Sequence, residues 1–154
     1  MKQKIVLLIA SQEIFFEETI KILDQFEVPW NYTSPQNTSF KNSSSLGCAI
    51  TAPTTRAESF LKRHELLYYP IIVVPETSPQ ANKNLAQLQK ASNFLKDFSP
   101  SLVALGKAGQ INAALLAVSI LSLYDHLLLK KWMKYRAEQT QSVLETSFLY
   151  NPIR

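Results

Sequence analysis

The sequence has few of the glycines from which many ligand-binding loops are made. Glycine occupies only three of the 154 positions, Gly47, Gly106 and Gly109, against an average usage of about 7%. Loops that cradle phosphate and dinucleotide-binding fingerprints each need several glycines within a few residues. Walker-type nucleotide-binding loops and dinucleotide fingerprints are therefore excluded.

Cysteine and histidine are equally scarce. The single cysteine, Cys48, excludes an internal disulfide and any zinc or iron–sulfur site built from several cysteines. The chain has only two histidines, which leaves few side chains for metal ligation. We therefore expect no metal and no structural disulfide.

Long hydrophobic runs are also missing. The longest early run covers residues 5–10, which is shorter than the core of a signal peptide, about 7 to 15 residues, and far from the roughly 20 apolar residues of a membrane span. We therefore expect a cytoplasmic protein without a membrane segment. The net charge is +4, with a basic cluster at residues 130–136. That segment has a helical pattern and no known nucleic-acid reader motif, so we expect a solvated helix face and no nucleic-acid partner.

The patterns that are present alternate between strand and helix. Short apolar runs typical of strands buried on two faces and segments with helical spacing of apolar residues follow one another, while the polar segment 34–45 is predicted to be a loop. The pattern indicates one α/β domain over residues 1–154, with five parallel strands joined through helices. The predicted strands are 4–10, 28–34, 47–52, 71–74 and 102–105, and the predicted helices are 13–26, 54–67, 84–98, 111–123 and 127–144.

The fourth of these helices, 111–123, is apolar on nearly every side and carries several small residues, among them Ala113, Ala114 and Ala117. A helix that is hydrophobic all round has to be buried all round. A domain of this size offers little room for that, so we expect a neighbouring subunit to cover part of the helix.

Residues 104–117 carry the most specific resemblance. They read Ala-Leu-Gly-Lys-Ala-Gly-Gln-Ile-Asn-Ala-Ala-Leu-Leu-Ala, and the segment resembles the end of the PurE family, enzymes of purine biosynthesis with a Gly-Lys-Ala-Gly-x-x-Asn-Ala-Ala-Leu-Leu-Ala sequence. Residues 70–75, Pro-Ile-Ile-Val-Val-Pro, are similar to the family's Pro-x-x-Gly-Val-Pro strand, with Val73 in place of the glycine.

The resemblance implies a three-layer α/β/α sandwich of flavodoxin-like type with a long C-terminal helix. It also implies a homo-octamer whose active sites lie at the carboxyl ends of the strands. In the family these sites bind aminoimidazole ribonucleotide or its carboxylated form, and they add or move a carboxylate without metal or organic cofactor. The family motifs are Gly-Ser-x-Ser-Asp after strand one, Ser-Ala-His-Arg-Thr-Pro after strand two, and Gly-Ala-Gly-Gly-Ala-Ala-His-Leu-Pro-Gly after strand three.

All three motifs are altered in this chain. After strand one, residues 10–14 keep Ser11 and place Glu13 near the lost aspartate. Between residues 28 and 55 there is no histidine or arginine, and Lys41 is the only cation. Counting back from Pro75, the third motif falls on residues 52–58, which puts Glu58 at the family's histidine position.

Loss of several proton-transfer groups together should abolish the family reaction. We therefore predict a catalytically degenerate PurE-like oligomer, related to purine (IMP) biosynthesis, that retains a site for phosphate or a ribonucleotide. The alternative is a working aminoimidazole ribonucleotide carboxylase or carboxyaminoimidazole ribonucleotide mutase with a rebuilt active site. The candidate ligand-binding residues are Ser11, Glu13, Lys41, Arg56 and Lys107.

Overall fold

A computed structural model describes residues 3–41, 44–77, 80–96 and 100–149. Its five strands form one sheet in the order β2-β1-β3-β4-β5, and every neighbouring pair is parallel. This is the flavodoxin-like strand order, so the predicted α/β fold with a five-stranded parallel sheet is confirmed. The strands are β1 (Ile5–Ile9), β2 (Trp30–Thr33), β3 (Leu46–Thr51), β4 (Ile71–Val73) and β5 (Ser101–Leu102).

Five α-helices accompany the sheet in the described part of the chain, and their bounds differ from the prediction mainly at the ends. The predicted first helix begins as a 3₁₀ turn over Glu13–Phe16 before the α-helix proper, and the fourth begins five residues earlier than predicted. Residues 97–98 of the predicted third helix lie outside the described residues. The helices are α1 (Glu17–Gln25), α2 (Thr55–Arg63), α3 (Ala81–Leu95), α4 (Gly106–Ser122) and α5 (His126–Leu149).

The sheet carries a separate hydrophobic cluster on each face. Side chains alternate along a strand, so Val6 and Leu8 of β1 pack with α1 and α4, whereas Leu7 and Ile9 pack with α2 and α3. These strand residues are at most 2% exposed. Helices on two faces of a buried sheet make the three-layer α/β/α sandwich that the resemblance implies.

The small residues of α4 are buried inside their own protomer. Ala113, Ala114 and Ala117 are completely buried and belong to the cluster between α4 and the sheet. A Cβ on Gly109 would lie 3.3 Å from Cγ1 of Val74, so the first turn of α4 approaches the end of β4 closely. The small residues of α4 are therefore covered by the sheet, α1 and α5 of their own protomer, whereas Ile111, Leu115, Leu116 and Ile120 are only partly buried. Coverage of part of the helix by a neighbouring subunit stays a prediction.

The connection from β2 to β3 has no helix among its described residues. Instead, the ring of Phe40 lies 5.2 Å from the ring of Phe60 and 5.2 Å from that of His64, both carried by or next to α2. One aromatic side chain thus anchors the polar loop on the sheet face that α2 and α3 also cover. The prediction of a loop over residues 34–45 is confirmed for the residues that the structure describes.

The long helix α5 is attached to the body through its first turns. Leu128 is buried, and Trp132 and Tyr135 pack around Phe26 at ring distances of 6.1 and 5.3 Å. Every described side chain from residue 136 to 146 is exposed. The second half of the helix therefore contributes little to the protomer core. No helix in the described ranges combines the length and the apolar character that a membrane crossing needs.

Candidate functional site

The carboxyl ends of β1, β3 and β4 border two adjoining cavities, of about 280 and 480 Å³, which share Ala52, Thr54 and Glu76. We call them together the strand-end crevice. The order of the strands reverses between β1 and β3, and doubly wound folds collect their ligands at such a switch point. The smaller cavity adds Ala10, Ser11, Gln12, Ile14 and Phe15, and the larger adds Pro53, Thr55, Glu58, Gln87, Lys90, Asn93 and Phe94.

The segment that follows β3 contains proline and threonine and no glycine. Thr54 caps α2, because its Oγ1 accepts a hydrogen bond from the backbone N–H of Ala57 at 3.1 Å, as expected of a threonine in this position. Pro53 has no N–H to offer a ligand. Among the described residues, positive φ values occur only at Glu27, Glu65 and Gly106, so this segment does not form a glycine-type loop.

Acidic groups prevail in the strand-end crevice. Glu58 and Glu76 line it with a single cation, Lys90. Glu58 is also engaged by its own helix, since its Oε1 lies 2.8 Å from the Nζ of Lys62. Glu58 therefore lies in the crevice, as its position in the third motif suggests, but as an ion-paired carboxylate and not as a free proton carrier.

Ser11 is exposed and lines the smaller cavity, whereas Glu13 does not line either cavity. Glu13 acts on a neighbour instead. Burial, and secondly the negative charge of Glu13, raise the pKa of Tyr32. The protonated phenol donates a hydrogen bond to the carbonyl oxygen of Ala10 at 2.9 Å, which ties the end of β1 to β2.

Arg56 does not line the strand-end crevice, although the sequence suggested that it could reach Ser11. It lines a third cavity of about 410 Å³ between α2 and the loop after β2. Successive side chains of a helix are rotated by about 100° around its axis. Glu58 and Arg56 are two residues apart, so they point to different sides of α2. We call this third space the arginine cavity; it is lined by Pro35, Gln36, Thr38, Thr55, Arg56, Ser59 and Arg63.

Lys107 joins two helices and is not part of any of these three cavities. Its Nζ lies 3.2 Å from the Oε1 of Glu18 on α1, and Lys21 makes a second contact with the same carboxylate. Hydrogen bonds from Lys21 and then from Lys107 lower the pKa of Glu18. Lys41 is exposed and likewise lines none of the three cavities.

The loop after β2 carries no charged side chain in its first five residues. It reads Ser-Pro-Gln-Asn-Thr over residues 34–38. The side-chain amide of Asn37 donates to Thr33 Oγ1 at 3.2 Å. The loop is therefore a neutral, self-bonded turn.

The remaining reactive side chains lie away from the strand-end crevice. Cys48 is buried in the sheet, and burial raises its pKa to about 12, so its thiol stays protonated at neutral pH. His64 packs against Phe40 and Phe60, and His126 begins α5. Of the residues described along the crevice, none is a histidine, a cysteine or an arginine.

Three crevice residues were not among the predicted site residues. Glu76 follows Pro75 at the end of β4, so its place after a predicted strand was a signal that could have indicated it. Lys90 and Asn93 come from α3, whose apolar residues include Leu85 and Leu88. Those two leucines are 60% and 37% exposed, so periodicity alone could not indicate which side of α3 faces the crevice.

Comparison with known proteins gives partial matches to one group of enzymes. The N5-carboxyaminoimidazole ribonucleotide mutase of Vibrio vulnificus is 37% identical over 75 residues, which cover 49% of this chain and 46% of that enzyme. The enzyme of the same name from Vibrio cholerae is 36% identical over 76 residues, 49% of this chain and 47% of the enzyme. That from Brucella melitensis is 49% identical over 43 residues, 28% of this chain and 26% of the enzyme. The chain thus matches about half the length, or less, of these relatives, and the similarity confirms the predicted resemblance to the PurE family.

No family model matches the chain. Among solved structures, a de novo designed Rossmann fold protein matches 73% of this chain and 91% of its own, at 10% identity and a TM-score of 0.35. That score is too low to support a conclusion, so the assignment of the fold rests on the strand order and the two helical layers described above.

Proposed function

We propose that the protein is a divergent, catalytically degenerate relative of the PurE enzymes, related to purine (IMP) biosynthesis and acting in the cytoplasm as an oligomer that binds phosphate or a ribonucleotide. The observation that carries the proposed loss of catalysis is the lining of the strand-end crevice. Of the residues described along it, none is a histidine, a cysteine or an arginine, and its carboxylate Glu58 is paired with Lys62. Ligand binding is proposed as a property separate from this catalytic loss.

Proton transfer is a requirement of the proposed ancestral reaction. Carboxylate transfer at a ring carbon needs a group that gives and takes a proton near pH 7, and histidine is the usual one. The crevice offers Glu58, which Lys62 holds as an ion pair at 2.8 Å. The described lining of the crevice thus lacks the residue that usually transfers protons in such a reaction.

Genetic complementation tests this function. A bacterial strain that lacks its PurE enzyme requires purine, and expression of the present chain is expected not to restore growth without purine. The matched positive control is an intact family enzyme expressed at the same level from the same vector. Growth comparable with that control would contradict the proposed degeneracy and would support the alternative, a working carboxylase or mutase with a rebuilt site.

The oligomer is proposed on the surface of α5. Leu127, Met133 and Val143 are 72%, 63% and 67% exposed, and an apolar groove runs between α4 and α5. Exposed apolar side chains next to an apolar groove are a feature of protein interfaces. The groove is lined by Leu115, Trp132, Tyr135, Arg136, Gln139, Thr140, Val143 and Leu144.

A charge placed in this groove is expected to dissociate the oligomer. We expect Val143→Glu to convert the assembly into smaller species in light scattering at micromolar concentration, because an unpaired charge in an apolar interface is strongly unfavourable. Ser142→Glu is the matched control, since Ser142 is exposed and does not line the groove. A monomeric wild-type protein, or an assembly unchanged by Val143→Glu, would contradict an oligomer built on this surface.

A further inference from the structure

We propose that the arginine cavity is a binding site for the phosphate group of a small phosphomonoester, separate from the strand-end crevice. The inference rests on the proposed function only in the class of ligand, and it places that ligand's phosphate between α2 and the loop after β2, on two arginines of α2. The carrying observation is that two guanidinium groups, which have no partner among the described residues, line one concave space together with three hydroxyl side chains.

Helical spacing brings the groups together. Arg56, Ser59 and Arg63 follow one another at intervals of three and four residues on α2, and such positions share one face of a helix. The two arginine Cα atoms are then about 10 Å apart along the axis, a distance that two long side chains can close on one tetrahedral anion. From the opposite side, the loop after β2 contributes Gln36 and Thr38.

The charges of the cavity are left unsatisfied by the protein. No carboxylate is present among its described lining residues, and neither Arg56 nor Arg63 has an ion pair or hydrogen bond with the chain as far as the structure describes it. Their neighbour Lys62, on the same helix, does pair with Glu58. One cation of α2, Lys62, is therefore paired with a carboxylate of the same helix. The two arginines that line the cavity are available to bind an anion.

The chemistry of these groups fits a phosphate dianion. Guanidinium binds phosphate through two parallel hydrogen bonds and keeps its charge at every accessible pH. The hydroxyls of Thr38, Thr55 and Ser59 can donate to the remaining phosphate oxygens. The strand-end crevice is less suited to this role, because it is lined by Lys90 and two carboxylates, whereas the described lining of the arginine cavity contains two arginines and no carboxylate.

The surroundings favour a small ligand over a nucleic acid. Binding of single-stranded nucleic acid uses aromatic side chains on which bases stack, within a basic groove that follows the backbone. The described lining of the arginine cavity includes no aromatic residue. The two arginines of the arginine cavity supply enough donors for one phosphate group. The loop after β2 bounds the cavity on one side.

Calorimetric titration of the full chain with inorganic phosphate and with adenosine monophosphate tests the site. Binding in the high micromolar to millimolar range is expected for the wild type. Arg56→Gln and Arg63→Gln should each weaken it by about ten- to a hundredfold, the effect of losing one charge-assisted hydrogen bond. Both side chains are exposed, so folding should be unchanged, and the thermal unfolding midpoint of each variant verifies this.

Two control variants make the result specific. Lys41→Gln removes one positive charge from the loop between β2 and β3 without touching the cavity, and Ser11→Ala alters the strand-end crevice. Neither should change phosphate affinity by more than about twofold. Equal losses in Lys41→Gln and the two arginine variants would indicate unspecific charge attraction and overturn the site.

The remaining outcomes separate this inference from the proposed function. Loss of binding in Ser11→Ala, with the arginine variants unaffected, would overturn the arginine cavity while leaving phosphate binding in the crevice. Wild-type protein that binds no phosphate at tens of millimolar would overturn the site, whereas complementation tests catalysis independently. Much tighter binding of a short single-stranded RNA than of adenosine monophosphate, lost in the same arginine variants, would make the surface a nucleic-acid site and also overturn the inference.

Discussion

Purified protein incubated with N5-carboxyaminoimidazole ribonucleotide, the compound named for the relatives, is expected to show turnover at least about 10⁴-fold below that of an intact family enzyme. The estimate follows from the usual loss of 10² to 10⁴ for one general acid–base group. Among the residues described along the strand-end crevice there is no histidine, cysteine or arginine, and the carboxylate of Glu58 is paired with Lys62. Carboxylate transfer followed in both directions by the absorbance of the imidazole products measures the rate.

Glu58→Ala provides the internal control for this assay. Glu58 lines the strand-end crevice and its carboxylate is paired with Lys62, so its removal is expected to leave the background rate unchanged. Turnover within about a hundredfold of an ordinary enzyme would show that the protein is catalytic after all. If that turnover also survived Glu58→Ala, the chemistry would have to lie outside the strand-end crevice.

Ala114→Arg is expected to unfold the protomer, not merely to split an oligomer. Ala114 is completely buried between α4 and the sheet, where an arginine has neither space nor a counter-charge. An uncompensated buried charge costs about 3 to 5 kcal/mol, a large part of the 5 to 15 kcal/mol by which domains are typically stable. Urea unfolding followed by circular dichroism should show a large loss of stability or no folded state.

The matched control is Ala108→Arg in the first turn of the same helix. Ala108 is exposed, and the same substitution there adds the same charge and side chain to solvent. It should shift the free energy of unfolding by less than about 0.5 kcal/mol. A folded Ala114→Arg protein with only its assembly lost would contradict the packing described here and return α4 to an intersubunit role.

The strands of the sheet were predictable because their apolar residues can be buried in only one kind of element. Runs such as Val6 to Ile9 are apolar on two faces, and only a strand covered by helices on two sides buries them. The ends of the helices were less predictable, because each end depends on the backbone conformation of the few residues in its last turn. The first helix ends at Gln25 because Glu27 adopts a left-handed conformation, with a φ of 56°, and the N–H of Val28 bonds to the carbonyl oxygen of Leu23 at 2.9 Å. This Schellman-type ending stops the helix one residue before the predicted end at residue 26.

The candidate site was predictable in position but not in composition. Strand ends indicated where Ser11 and Glu58 lie, because parallel strands present their carboxyl ends at one edge of the sheet. The direction of a side chain in the first turn of a helix is not visible in sequence spacing alone. Arg56 and Glu58 are two residues apart, and their side chains line different cavities. Lys107 was predicted to bind the ligand, and it lies near two glycines in the sequence. In the structure its side chain instead forms an ion pair with Glu18.

The attachment of α5 by its first turns has a consequence for the helix itself. Its 24 residues extend for about 36 Å, and the described side chains beyond Tyr135 are exposed. Helical segments of fewer than about 12 to 15 residues are only marginally stable in water when nothing packs against them. In the oligomer proposed on this surface, a second copy would supply the packing that the outer half of α5 lacks within its own protomer. Dilution of such an oligomer would then lower the helix content of α5, while the sheet, which is buried within the protomer, would keep its structure.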